Sequence, residues 1–268
     1  MREYKICDYD LRFVQNKMLD LLLELDRICK AYNIKYSLEG GTLLGAVKYS
    51  GFVPWDDDID VVMTRENYEK FIEACKEDLD SKFFLQNTDT DKYYPLNYSK
   101  LRMNGTIYQQ ITYQDLDIHH GLFLDIFPLD YVHKKSFRMW CSAIGIFTGA
   151  RIKKLKLPMR QPKWKQFVYK AISVLPLKWI NYILKAIYKK FEKKKSEYVF
   201  EMCSPYMVNE FQKAKRYEEY TTLKFEGNEF MVIKDYEAFL TERFGDYMNT
   251  EPDPMTRGPS HAINICEL

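Results

Sequence analysis

Long apolar runs are missing from this chain of 268 residues. None reaches the roughly 18 residues that a membrane-spanning helix needs, so no such helix is expected. The opening MREYKICDYD has no apolar stretch of the kind that drives secretion, which leads to the expectation of a cytoplasmic protein. Cysteine is sparse and scattered. Cys7, Cys29, Cys75, Cys141, Cys203 and Cys266 form no C-x-x-C and no Cys/His zinc spacing, a pattern that fits reduced thiols better than a disulfide framework. Internal repeats, low-complexity segments and the dinucleotide fingerprint G-x-G-x-x-G are also absent, and no Ser-His-Asp or Cys-His nucleophile arrangement is supported. What is present is a folded composition. With 46% hydrophobic and 16% aromatic residues, the chain can bury a sizeable core as one large domain or two small ones.

The net charge of +2 conceals an asymmetry. Lys134 to Lys195 holds 18 Lys/Arg against one acid, Glu192, or +17; the remaining 22 basic and 37 acidic residues give −15. A cationic module therefore sits inside an acidic body. Residues 136–200 are helical in pattern, basic and aromatic, and Pro158, Pro162 and Pro176 divide them into at least three pieces. The expected organisation is a catalytic core made of 1–135 and 201–268, interrupted by a helical insertion at 136–200.

Elsewhere the pattern alternates between helix and strand. Leu11, Val14, Met18, Leu21, Leu25 and Ile28 recur at helical spacing, with Asp8 or Asp10 as cap. Strands are expected at 34–39, 58–64, 83–88, 96–103 and 122–127, and helices at 41–48 and 66–78. TTLKFEGNEFMVI reads as a hairpin turning at Gly227-Asn228, followed by a helix capped by Asp235 and stopped by Gly245.

The chemistry concentrates in IKYSLEGGTLLGAVKYSGFVPWDDDIDVVMT, residues 34–64. Strand alternation directs Asp58 and Asp60 to one face while Ile59 and Val61 face the core. Two carboxylates so placed repel each other unless a cation lies between them, and hard divalent cations prefer oxygen ligands. Asp125, a lone acid in the apolar strand LFLDIF, is the candidate third carboxylate. A calcium loop is excluded, because Val61 and Asn67 stand where that motif needs Gly and a bidentate Glu. Gly40, Gly41 and Thr42 at a strand–helix junction can present backbone N–H groups to a phosphate. A P-loop is excluded, since Ala46 follows Gly45 and Lys48 comes two positions later. Lys48, Lys100 and Arg102 are candidates to screen phosphate charge. Together these residues point to metal-assisted phosphate transfer.

The run Gly40-Gly41-Thr42-Leu43-Leu44-Gly45-Ala46-Val47, followed by Gly51-Phe52-Val53-Pro54-Trp55-Asp56-Asp57-Asp58-Ile59-Asp60, resembles the signature of the LicD family. The resemblance continues through Leu124-Asp125-Ile126-Phe127-Pro128-Leu129-Asp130 and Phe244-Gly245-Asp246-Tyr247-Met248. Glu251-Pro252-Asp253-Pro254 departs from the Pro-Pro that usually follows in the family, which bears on the tail that holds Arg257 and His261. Members are phosphocholine transferases of bacterial surface polysaccharides, within the nucleotidyltransferase-fold superfamily and akin to fukutin-related proteins.

The resemblance implies an α/β (α+β) fold, with a nucleotidyltransferase-like mixed sheet flanked by helices. It also implies Asp58, Asp60 and Asp125 as catalytic and metal-binding carboxylates, Mg²⁺ or Mn²⁺ as cofactor, and CDP-choline as donor. The acceptor would be a glycan hydroxyl (teichoic acid, capsule or lipopolysaccharide precursor), on a lipid carrier, and CMP would leave. Donors carrying glycerol or ribitol phosphate, and nucleotidyl transfer, are alternatives within the fold. A membrane-surface binding module is the non-enzymatic alternative. Choline is a quaternary ammonium that aromatic faces hold, so Trp55 and Tyr93-Tyr94 are candidate cage residues. The basic amphipathic segment 136–200 suits the anionic inner face of a membrane, and nucleic acid is not expected as a partner.

Overall fold

The computed structural model describes residues 4–192, 195–203, 211–250, 261 and 263–268. A short antiparallel pair, β1 (Lys5–Ile6) and β2 (Tyr9–Asp10), leads into α1 (Leu11–Ala31). The cap is Asp10, whose carboxylate accepts the Arg12 amide at 2.7 Å. The expected apolar stripe of α1 is buried along its length. Next come β3 (Ser37–Leu38), α2 (Gly40–Tyr49), β4 (Asp60–Thr64) and α3 (Arg65–Asp78). β5 (Phe83–Gln86), β6 (Ser99–Met103), β7 (Ile107–Gln110) and β8 (Phe123–Val132) complete the first half. The three prolines separate α4 (Lys134–Lys154), α5 (Lys163–Ile172) and α6 (Leu177–Glu192). The chain then forms β9 (Tyr198–Phe200), β10 (Gln212–Lys213), the hairpin β11 (Tyr220–Phe225) and β12 (Asn228–Ile233), α7 (Tyr236–Phe244) and β13 (Ile263–Glu267).

β8 organises the main sheet. It runs parallel to β4 and antiparallel to β6 and β9, while β3 extends the sheet from β4, β5 from β6 and β10 from β9. The result is the mixed α/β sheet flanked by helices that the sequence implied. α1 and α3 pack on it, and its buried residues, among them Val61, Met63, Leu124 and Ile126, join the α1 stripe in one apolar cluster. β9 hydrogen-bonds to β8, so Tyr198–Phe200, within the expected insertion, is part of the sheet. The basic helices close over a second cluster that includes Val132, Ile144, Ile180, Leu184 and Phe200.

Two differences from the expected elements have simple causes. The hairpin turns at Glu226-Gly227, one residue earlier than expected, because both residues take positive φ (50° and 77°) while Asn228 pairs with Phe225. β7 pairs with β13, a contact between segments far apart in the chain that local alternation does not announce. Among the described helices none is long and apolar enough to cross a membrane.

Candidate active site

Pairing register places the key side chains in one row. Asp60 on β4 is opposite Asp125 on β8, and Asp125 is opposite Lys100 on β6. Residues in register share a face, so three strands bring an acid, an acid and an amine together. Lys100 Nζ donates to Asp125 Oδ1 at 2.6 Å, with both side chains almost fully buried. The ammonium also stands 3.5 Å from the centre of the Phe123 ring. Burial lowers the Lys100 pKa to about 8, against the opposing pull of Asp125. Arg102, two residues along the same face, donates to Gln86 Oε1 at 2.7 Å and to the Gly121 carbonyl at 2.6 Å. It lies behind the row and braces it.

Asp58 precedes the strand proper, in extended backbone held by the Asp125 amide donating to the Ile59 carbonyl at 2.9 Å. Ile59 and Val61 are buried as alternation requires, and Asp58 and Asp60 are only partly covered. Asp57 is fully buried, which its place in an acidic run did not suggest. His261 explains it. Its amide donates to Asp57 Oδ2 at 3.0 Å, and its Nδ1 lies 3.4 Å from Asp57 and 3.7 Å from Asp58. Burial works to lower the imidazole pKa, but the two carboxylates outweigh it and the net direction is up. A histidine in a tail rich in turn residues carries no sequence signal for this contact. Arg257 and the Glu251–Pro254 stretch lie outside the described residues.

The glycine turn borders the acids. Gly40 has φ +53°, a conformation that favours glycine, and a Cβ on Gly41 would stand 2.5 Å from Asp56 Oδ2, so an added side chain there would have to displace that carboxylate. The Asp60 amide donates to Thr42 Oγ1 at 3.0 Å, locking the start of α2 to β4. Before the turn, Glu39 is a buried carboxylate that pattern reading passed over. It pairs with Arg243 at 2.5 Å, and burial raises it to about 8.

Lys48, expected near phosphate, is elsewhere. Eight residues of helix at about 1.5 Å each carry it some 12 Å from Gly40, and its ammonium donates to the carbonyls of Tyr247 and Thr250. Trp55 sits between Tyr4 and Tyr49, with ring centroids 6.4 Å from each. Tyr94 is buried behind the row, and Tyr93 receives Lys92 on its face. His119 and His120 are tied into their own loop through Asn104, Gly121 and the Leu116 carbonyl.

Asp56, Asp58 and Asp60 are each pushed upward, first by burial and then by one another or by Asp57 and Asp125. Crowded acids of this kind fit a hard divalent cation in donor type and in charge. Among the described residues no group of three or more His, Cys, Asp or Glu side chains is arranged to hold a metal ion, and Asp125 spends one oxygen on Lys100. Asp60 and Asp56 are the acids whose carboxylates border the glycine turn.

A mixed sheet with an acidic pair leading into one strand, a third acid in register on the next and a glycine turn opening the adjacent helix defines a nucleotidyltransferase-type catalytic domain. Residues 33–183 match the family described as LicD/FKTN/FKRP, nucleotidyltransferase domain, and the chain belongs to that family. The matched span contains Gly40, Asp58, Asp60, Lys100 and Asp125 and reaches into α6. Over 259 residues, 91% of this chain and 93% of the relative, it is 28% identical to the lipopolysaccharide cholinephosphotransferase LicD of Haemophilus influenzae. Uncharacterised proteins of Rickettsia prowazekii and Rickettsia typhi are each 40% identical over 50 residues, 19% of this chain.

Proposed function

We propose that this protein transfers phosphocholine from CDP-choline to a hydroxyl of a cell-surface glycan and releases CMP. The observation that carries the reading is the register row of Asp60, Asp125 and Lys100 beside the Gly40-Gly41 turn. The likeness to a lipopolysaccharide cholinephosphotransferase over nearly the whole chain supports the choice of group transferred. The acceptor oxygen attacks the choline-bearing phosphorus, the bond to the bridging diphosphate oxygen breaks, and that oxygen leaves with CMP. The acceptor proton passes to a carboxylate of the cluster, and Asp125, held in place by Lys100, is the member we assign to it. Backbone N–H groups of the glycine turn bind the diphosphate, and Lys100 offsets negative charge behind it. Asp58 and Asp60 would hold Mg²⁺ or Mn²⁺. When bound, that ion neutralises charge developing on the phosphates. Trp55, with Tyr4 and Tyr49 around it, would offer aromatic faces to the quaternary ammonium.

The basic helices supply the location. Trp164, Phe167, Val174, Trp179 and Tyr182 are exposed on α5, α6 and their connection, in a segment of charge +17. Aromatic side chains among lysines suit the headgroup region of an anionic bilayer, where a lipid-linked acceptor would be met. Retention by vesicles containing phosphatidylglycerol, lost with Trp164→Ala plus Phe167→Ala, is expected. Equal recovery with neutral vesicles would remove this part of the reading.

Labelled CDP-choline, divalent metal and candidate glycans test the transfer, with Asp58→Ala as control. Label on glycan together with CMP is the expected result. Pyrophosphate release would instead mark nucleotidyl transfer, a CDP-alcohol other than choline used in preference would change the donor, and equal transfer by Asp58→Ala would overturn the site.

A further inference from the structure

Arg151, in the last turns of α4, is only 1% exposed, yet no acid pairs with it among the described residues. Its guanidinium donates to two neutral amides, Asn181 Oδ1 at 3.4 Å and Asn97 Oδ1, and its Nε has no acceptor. A buried cation satisfied by amides alone is among the costliest arrangements in a protein interior, and one that an anion relieves. A second donor is idle nearby. The Tyr94 hydroxyl, three residues before Asn97 in the chain, is buried without a hydrogen-bond partner. Asn97, which accepts from Arg151, lies three residues before Lys100, so this cluster joins α4 to the strand that carries the row's ammonium.

Asn181 also lines a cleft of about 520 Å³ between residues 88–92 and the start of α6, and Lys92, Lys178 and Lys185 lie around it. Asp89 at the rim is already paired with Lys185. The cleft is therefore lined by lysine amines and by Asn181, the amide whose Oδ1 accepts from the uncompensated guanidinium. Arginine's planar fork matches phosphate oxygens.

We propose that Arg151 and Tyr94, with Asn97 and Asn181, form the buried half of an anion site that takes a phosphate group entering through this cleft. Two sources share that chemistry: the diphosphate of the nucleotide donor and a phosphate that links the acceptor to its carrier. Assigning the phosphate to a substrate rests on the transferase reading; the anion site itself does not.

The test uses the full chain with EDTA present, so that metal-dependent binding at the carboxylates does not contribute. Thermal unfolding and calorimetric titration are run with inorganic pyrophosphate, CDP-choline and geranyl diphosphate. Wild type is expected to gain stability with pyrophosphate. Arg151→Met should unfold at the same or a higher temperature without anion, because it removes an unpaired buried charge, while losing at least ten-fold in pyrophosphate affinity. Tyr94→Phe should unfold like wild type and lose about three-fold, which keeps the idea open to refutation if Arg151→Met does not fold. A greater loss for CDP-choline assigns the site to the donor, and a greater loss for geranyl diphosphate assigns it to the acceptor's carrier. The proposal is overturned if wild type binds no anion, or if both variants keep wild-type affinity. It also falls if Arg151→Met unfolds earlier while still binding, for then the guanidinium is only a strut between two asparagines. Arg151-dependent binding without any CMP release would leave this site standing and the transferase reading fallen.

Discussion

Asp130 offers the sharpest test of how β8, the strand that carries Asp125, is held. It lies five residues beyond Asp125 on β8, on the opposite face, and its carboxylate grips Arg65 of α3 through two bonds of 2.8 and 3.0 Å. Both side chains are almost completely buried, and the guanidinium is also 4.8 Å from the Tyr188 ring of α6. Asp130→Asn keeps the shape but removes the charge and turns an amide N–H₂ towards a guanidinium that needs acceptors. Breaking one side of a buried pair costs about 3–5 kcal/mol. Glu69, 3.4 Å from Arg65 but half in solvent, recovers a little, so the low end, about 3 kcal/mol, is expected. At roughly 2–4 °C per kcal/mol for a chain of this size, Tm should fall by about 6–12 °C. Urea unfolding followed by circular dichroism measures the first quantity, and a thermal scan the second. The double variant Arg65→Met plus Asp130→Leu removes both charges and should lie within about 1.5 kcal/mol of wild type. An Asp130→Asn protein within 1 kcal/mol of wild type would refute the reasoning. So would a double variant as unstable as the single one.

Three further outcomes follow from named contacts. His119 accepts the Gly121 amide on Nδ1 at 3.0 Å, and burial followed by the neighbouring Arg102 holds its pKa below the usual 6.5, so the folded state binds this proton less readily than the unfolded one. Its contribution is therefore present above about pH 6.5 and lost as pH falls through the folded value; His119→Gln should flatten the urea midpoint between pH 7 and 5, and an unchanged slope would count against it. A Cβ on Gly45 would meet the Gly51 carbonyl at 2.4 Å, whereas on Gly41 it meets the movable tip of Asp56. Gly45→Ala should cost about 1–3 kcal/mol in urea, while Gly41→Ala should unfold near wild type but lose transfer activity; the reverse ranking would show that the turn is not at the site. Lys100→Met strips the only ammonium from the register row and should lower kcat by about 10²–10³ in a CMP-release assay, with a fall under ten-fold assigning Lys100 a packing role.

What could be read from the chain was local or periodic. Asp125 stood out because an acid inside LFLDIF contradicts its surroundings, and Gly40-Gly41 because two glycines at a strand–helix junction imply close approach. Lys100 was named only as one candidate among several, since its meaning depends on β6 lying antiparallel to β8, a pairing no local pattern specifies. Lys48 shows the opposite limit. It is near the glycines in sequence, but helix geometry moves it away from them. His261 and Asp57 were hidden by setting, one in a turn-rich tail and the other in a run of like charges. Arg151 was indistinguishable from the other cations of a basic segment until burial separated it from them.

The charge asymmetry then takes on a spatial meaning. The acids gather where β4 and β8 begin, around Asp60 and Asp125, whereas the basic helices pack at the far end of β8, against Val132 and Phe200. α6 is also fixed to the sheet through Tyr188 over Arg65, itself locked to Asp130. β8 thus carries Asp125 near its start and the apolar seat of the basic helices at its far end, while the last turns of α4 return to Asn97, three residues before Lys100. It follows that weakening the Asp130–Arg65 lock should disturb the alignment of the two regions before it disturbs Asp125 itself. The variant would then show a raised KM for the acceptor with kcat for a small soluble acceptor retained.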